Sequence, residues 1–219
     1  MKKYHLEIKL VTTVVLVLTL LGIIVFRKGV REDFIVFNQH LDEVAVTIDD
    51  KEYLLSDIAF YVYYEESFVE KQAMEYNSEN PDKYWELHIN GEFVDVLARD
   101  TAMEMFVHDT ILYELAIAQG IELTDEDKEY VYLAAKDYYC FMDDEQKAAL
   151  GVDEENFMEV LTRKAYGEKY SETVAYEAGM DVSRMDVGGV LYEEIHTEHE
   201  VKVKDIWKKV EFGNITVVH

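Results

Sequence analysis

The chain has 219 residues, 49% hydrophobic and 13% aromatic, with 16 Tyr, 10 Phe and a single Pro; this supports a packed core and favours long helices over a turn-rich β sandwich. The net charge of −25 is uneven, because residues 1–31 hold six basic side chains against Glu7 alone and the rest therefore carries −30. A body that acidic repels phosphate backbones and excludes nucleic acid as a partner.

Leu10 to Phe26 is an uncharged run of 17 residues relieved only by three Thr and one Gly. That is the lower limit for a helix crossing a membrane and longer than most signal-peptide apolar cores. Arg27, Lys28 and Arg31 follow it with no small-residue cleavage site, so residues 1–31 are expected to be an uncleaved signal anchor. Lys2, Lys3 and Lys9 precede the run, so the basic residues on its two sides nearly balance and do not by themselves orient it.

Residues 32–43 form a connector. Val44 to Ile48 is β-branched and is followed by Asp49-Asp50 and Lys51 to Leu55, the pattern of two short strands about a tight turn. Ser56 is expected to cap a helix reaching about Tyr76, with Ile58, Tyr61, Val62, Phe68 and Val69 on its apolar side. Asn77 to Asp82 breaks the pattern, and Tyr84, Trp85 and Gly91 fall in the loop beyond. A second long helix is expected from about Phe93 to Gln119, its stripe running through Ala98, Thr101, Met105, His108, Leu112 and Leu115.

Gly120 ends that helix, with Ile121 placed to pack back on it. Thr124 then caps a helix whose first turn, Asp125-Glu126-Asp127, suits the helix dipole. A short acidic helix, Asp144 to Leu150, stops at Gly151, and Asp153 caps a last long helix ending at Ala178-Gly179. In the tail, Val201 to Lys204 alternates and Ile215 to Val218 is β-branched, which predicts a β hairpin turning at Gly213-Asn214. The expected organisation is an anchor at 1–31, a connector at 32–43, a helical domain at 44–179, and an acidic linker with a C-terminal β hairpin at 180–219.

The segment from Val44 to Tyr53 resembles the strand pair that opens the N-terminal domain of SurA/PrsA-type foldases, with Asp49-Asp50 where that family has Asn-Gly. Ala116, Gly120, Ile121, Leu123, Thr124 and Asp125 to Asp127 resemble its helix–glycine–capped-helix junction, and Gly151 to Tyr170 its closing helix. The resemblance spans roughly residues 44–178 and implies a mainly α, SurA N-like chaperone domain. Foldases of this type usually carry a parvulin-type prolyl isomerase domain as well, and residues 179–219 are too few for one and lack its sequence. The implied function is a membrane-anchored module binding unfolded or exported polypeptides on the extracytoplasmic side, without isomerase catalysis and without a cofactor. A dedicated scaffold or accessory subunit of one membrane or secretion complex is the alternative, and a homodimer remains open.

Chemistry-bearing motifs are sparse. There is no phosphate-binding glycine loop, nucleophile elbow or H-E-x-x-H pattern, so an enzyme is disfavoured. His196 and His199 sit amid glutamates in what reads as an acidic linker, and His108 reads as a hydrogen-bonded core histidine. The acidic clusters lack the glycine and terminal glutamate of a calcium loop. Cys140, among Tyr138, Tyr139 and Phe141, is expected to pack as a small buried apolar group. The aromatic clusters are the more suggestive feature. Phe60, Tyr61 and Tyr64, with Tyr84 and Trp85, and then Tyr138, Tyr139, Phe141 and Met142, are the candidate polypeptide-binding residues, because aromatics and Met give broad, adaptable apolar contact.

Overall fold

In the computed structural model, which describes residues 34–217, β-branched and apolar residues form a small sheet, and four long or medium helices pack mainly against one another. The anchor expected at 10–26 lies outside the described residues, and among those described no helix is long and apolar enough to cross a membrane. From Ile35 onward the chain packs as one unit, mainly helical with small β elements.

Strands β1 (Val44–Ile48) and β2 (Lys51–Leu54) pair antiparallel, with Ile48 opposite Lys51 across the Asp49-Asp50 turn. Asp49 takes a left-handed φ of 52°, a conformation that aspartate tolerates better than most residues. Helix α1 (Leu55–Tyr76) follows without a break. Ser56 is not its cap: the cap position is Leu54, whose N–H donates to Asp57 Oδ2 at 2.8 Å. Asp57 thus satisfies the N–H of the cap residue, while the first helical N–H groups, of Leu55 and Ser56, donate to the backbone carbonyls of Glu43 and Leu41.

Tyr84 and Trp85 are not in a loop. They end the short helix α2 (Asp82–Trp85), and beyond it β3 (His88–Ile89) and β4 (Glu92–Phe93) form a hairpin over Asn90-Gly91, both at positive φ. An Asn-Gly pair between short strands is among the strongest local hairpin signals, so this element was readable. Helix α3 (Val94–Ala118) stops at Gly120, φ 71°, and Ile121 N–H returns to Ala116 O at 3.0 Å. Helix α4 (Asp125–Phe141) begins with a reciprocal Thr124–Asp127 capping box. After α5 (Asp144–Leu150), Asp153 caps α6 (Glu154–Ala178).

Helices α3 and α6 pack most extensively, and Gly167 is what lets them approach. A Cβ there would stand 3.1 Å from Leu112 Cβ. Helix α4 lies along α6, and α1 along α3, around Phe106, Ile111, Phe157 and Val160.

The tail departs from the sequence expectation. Among the described residues, no hairpin forms over Gly213-Asn214. Instead, after α7 (Val190–His196), strand β5 (Val201–Val203) joins the first sheet beside β1, giving the order β2-β1-β5 with Val46 opposite Val203. Asp49 secures that junction by accepting from His199 Nδ1 at 2.8 Å and Glu200 N–H at 2.9 Å. Residues 180–217 are therefore part of the core unit rather than a linker, and Met185, Tyr192, Trp207, Val210 and Phe212 are all buried. A β-branched run cannot declare its partner from its own sequence, and β1 offers a free edge closer to a core than Ile215–Val217 does.

The last described turn is fastened by Glu66 of α1, fully buried. Its oxygens accept from the N–H groups of Gly213 at 2.6 Å, Ile215 at 3.3 Å and Thr216 at 2.6 Å, and from the Thr216 hydroxyl at 2.6 Å. Gly213 itself, at φ 84°, lies flat on Trp85, where a Cβ would come within 2.7 Å of the ring. Glu66→Ala would strand these donors, and the expected cost is about 3–5 kcal/mol in chemical denaturation. Glu66→Gln, which turns one acceptor into a donor, should cost about 1–3 kcal/mol. Both should admit protease near residues 211–217, and an unchanged stability would contradict the assignment.

Its neighbour Glu65 is buried too, and burial alone raises its carboxyl to about 7. The folded state then keeps a proton that the unfolded chain releases near its ordinary value, so stability falls as pH rises from about 4.5 to 7 and levels off above. The loss across that window should be about 1–3 kcal/mol, and denaturation of Glu65→Gln should show it flattened.

Candidate functional site

Two of the aromatic segments picked out in the sequence meet in space. Phe60 of α1 lies edge-on to Tyr138 of α4 at 5.3 Å and to Phe157 of α6 at 5.3 Å, and it stacks with Tyr64 at 5.9 Å. Tyr64 and Tyr138 complete the group at 6.2 Å. Spacing on α1 explains the division of labour. Positions 60, 61 and 64 lie on one side of the helix; the first two are buried, while Tyr64, one turn further, keeps 39% of its surface in solvent.

These rings line one wall of an open cleft of about 380 Å³. Met105, His108 and Asp109 of α3 form a second wall, Leu161 and Lys164 of α6 a third, and Asp186-Val187 the rim. Phe68, next to Tyr64 at i+4 and 54% exposed, extends the apolar edge along α1. Val187, 45% exposed, does the same on the rim.

The polar members are tied to one another. The buried Tyr61 hydroxyl donates to Asp109 Oδ2 at 2.9 Å, and burial, reinforced by that carboxylate, holds the phenol well above its usual value. His108 contacts Asp109 Oδ1 through Nδ1 and the Met185 carbonyl through Nε2, both at 2.8 Å, with Tyr192 against its ring at 4.6 Å. Both ring nitrogens thus face oxygen acceptors, and both bonds are donated together only when the ring carries two protons. Burial works against the charge of Lys164, but Asp109 and Glu168 more than offset it and raise its pKa, with Glu168 at 3.1 Å. The cleft therefore combines an aromatic floor with a few charged groups already engaged. That suits reversible contact with apolar side chains; a group poised for covalent attack is not among them.

The other expected site residues are elsewhere. Tyr84 donates to Gln72 at 2.9 Å and the buried Trp85 to Glu70 at 3.2 Å, so this pair pins α2 to α1. Tyr139 packs on Phe157 at 5.7 Å beneath Lys147, and Met142 is buried. Phe141 is 81% exposed and stands apart from the cleft. Cys140 is exposed, not buried. Helix α4 packs through Val131, Ala135 and Tyr138, and residue 140 lies about 200° around the helix from Tyr138. His196 and His199 do not share a site, since His199 bonds Asp49 while His196 lies against Tyr192. Among the described residues, no three His, Cys, Asp or Glu side chains converge as metal ligands.

Sequence reasoning missed Met105, Asp109, Leu161, Lys164, Asp186 and Val187 as cleft residues. Met105 and His108 lay on the recognised stripe of α3; Asp109, an acid flanking that stripe, was the available signal. Nothing local marks Lys164 or Asp186. Comparison with known proteins gives no match to a protein family, a curated protein or a solved structure.

Proposed function

We propose that the cleft between α1, α3, α4 and α6 binds apolar segments of unfolded or exported polypeptides, making this a chaperone-like module without isomerase or other covalent catalysis. The observation that carries the reading is the half-open aromatic wall of Phe60, Tyr64 and Tyr138, continued outward by Phe68. Rigid rings bury large apolar area at little entropic cost and tolerate varied partners. The charge of −25 favours clients with basic residues flanking the apolar segment and keeps the empty module soluble. The SurA N-like resemblance read from the sequence points to the same class of function. With residues 10–26 as the anchor, the module would meet clients at the extracytoplasmic face of a membrane.

One observation favours the second reading, a dedicated subunit of a membrane or secretion complex. Tyr130, Leu133 and Phe141 expose 71%, 50% and 81% along the outer side of α4, a surface suited to one fixed partner.

The test is light scattering from reduced, unfolding lysozyme, a basic client, with the purified full-length protein present, beside a proline-limited refolding assay. Aggregation should slow at a several-fold excess while the refolding rate stays unchanged, and Tyr64→Ser with Phe68→Ser should remove at least half of the protection. Absence of slowing would move the assignment to the dedicated subunit, and faster refolding would mean a catalytic site.

A further inference from the structure

The rim of the aromatic cleft is attached at one residue. Residues 181–188 form a short 3₁₀ turn, Val182–Met185, and the Asp186-Val187 rim, and only Met185 among them is buried. Ser183 and Arg184 N–H donate to Asp181, and Asp186 N–H to the Ser183 carbonyl, so the segment is bonded to itself. Apart from such local turns, one hydrogen bond among the described residues joins it to the rest of the structure, that between His108 Nε2 and the Met185 carbonyl at 2.8 Å. Gly188, at φ 75°, turns the chain away towards α7. A strap held by one buried side chain and one hydrogen bond, both at Met185, lifts as a unit at small cost when that bond is lost.

The bond depends on a count of protons. His108 Nδ1 meets Asp109 Oδ1 at 2.8 Å, and Asp109 Oδ2 already accepts from Tyr61. A neutral imidazole carries one N–H, so beside a carboxylate it serves Asp109 or Met185 but not both. The chain from Asp109 through His108 to Met185 closes only when the pair holds one further proton, on the ring or on the carboxyl. Once that proton leaves, the remaining N–H goes to the charged acceptor, the stronger bond, and Nε2 turns a lone pair to the Met185 carbonyl. The closed strap therefore binds a proton that the lifted strap does not, and closure is favoured at low pH and lost as pH rises.

We propose that His108 is a proton-operated clamp on the rim of the aromatic cleft, retaining a bound client at acid pH and releasing it above, an inference that rests on the client-binding reading of the same cleft. With the strap closed, Val187 adds apolar surface to the wall; with it lifted, that side of the cleft opens. The other titratable groups around the pair are Tyr61 of α1, Glu104 of α3, Lys164 of α6, Asp186 of the rim, and Tyr192, Glu193 and His196 of α7. Burial raises both phenols, and Lys164 is raised on balance, against its burial, by Asp109 and Glu168, so these three keep their protons where histidines titrate. His196 shares that range and is the necessary control.

The test is a nitroxide label on Val187→Cys in the full-length protein with Cys140→Ser, read by electron paramagnetic resonance from about pH 5 to 8. The mobile fraction should rise about 3- to 10-fold, the weight of one hydrogen bond, with the midpoint shown by the His108 ring in NMR. His108→Gln should remove the response and His196→Gln should keep it. Asp109→Asn should hold the strap down at every pH, because its amide donates to Nδ1 and leaves the Nε2 proton for Met185. At pH 8 the same variant should protect reduced lysozyme at about 3- to 10-fold lower concentration than the unaltered protein. Mobility independent of pH, a response that survives His108→Gln, or a pH-dependent strap in Asp109→Asn would each overturn the clamp. Equal protection by Asp109→Asn and the unaltered protein would overturn its role in client release. Protection by neither would overturn the client reading itself, while the label still reports whether the clamp exists.

Discussion

Glu66 sits mid-helix on α1 with no exposed surface, yet it is acidic in a chain already crowded with negative charge. A carboxylate in that position is tolerable only because three backbone N–H groups and a hydroxyl of residues 213–216 converge on it. The requirement runs both ways: the buried turn needs an acceptor for its amides, and the carboxylate needs donors. Gln146 adds to the same junction by donating to the Thr216 carbonyl at 2.7 Å. With the turn fixed, Trp207, Val210 and Phe212 are held in the core. β5, a few residues before them, lies against β1. Helix α1 is thereby locked against the segment farthest from it in sequence, and its opposite side is left to build the aromatic cleft.

That arrangement explains how much could be read in advance. Helix limits were legible because their punctuation is local: Thr124 and Asp153 as caps, Gly120, Gly151 and Gly179 as stops. The β1–β2 hairpin was legible for the same reason. What failed was partner choice. Ile215–Val217 and Val201–Val203 carry the same β-branched signal, and only the edge of β1 and the buried Glu66 separate their fates. The cap of α1 was misplaced because Asp57 works from inside the helix, where Ser56 looked the stronger candidate.

The candidate site divides along similar lines. Aromatic clustering pointed to Phe60, Tyr61, Tyr64 and Tyr138, which do share one cleft, since their spacing puts them on facing sides of α1 and α4. It also pointed to Trp85 and Met142, which are core, and to Phe141, which faces solvent elsewhere. Clustering in sequence cannot separate inward from outward positions when consecutive residues turn about 100° apart. Lys164 and Asp186 carried no local signal, because their place in the cleft depends on which helices adjoin.

Under the proposed function, clients meet the protein at the aromatic wall rather than at any exposed ring. The most direct measurement is site-specific photocrosslinking, with p-benzoylphenylalanine placed at Tyr64 and, in parallel, at Tyr176, which is 86% exposed near the end of α6. A reduced basic client should crosslink strongly from position 64 and at background from position 176, with excess unlabelled client abolishing the signal. Equal labelling from both positions, or none from 64, would contradict the cleft as the binding site.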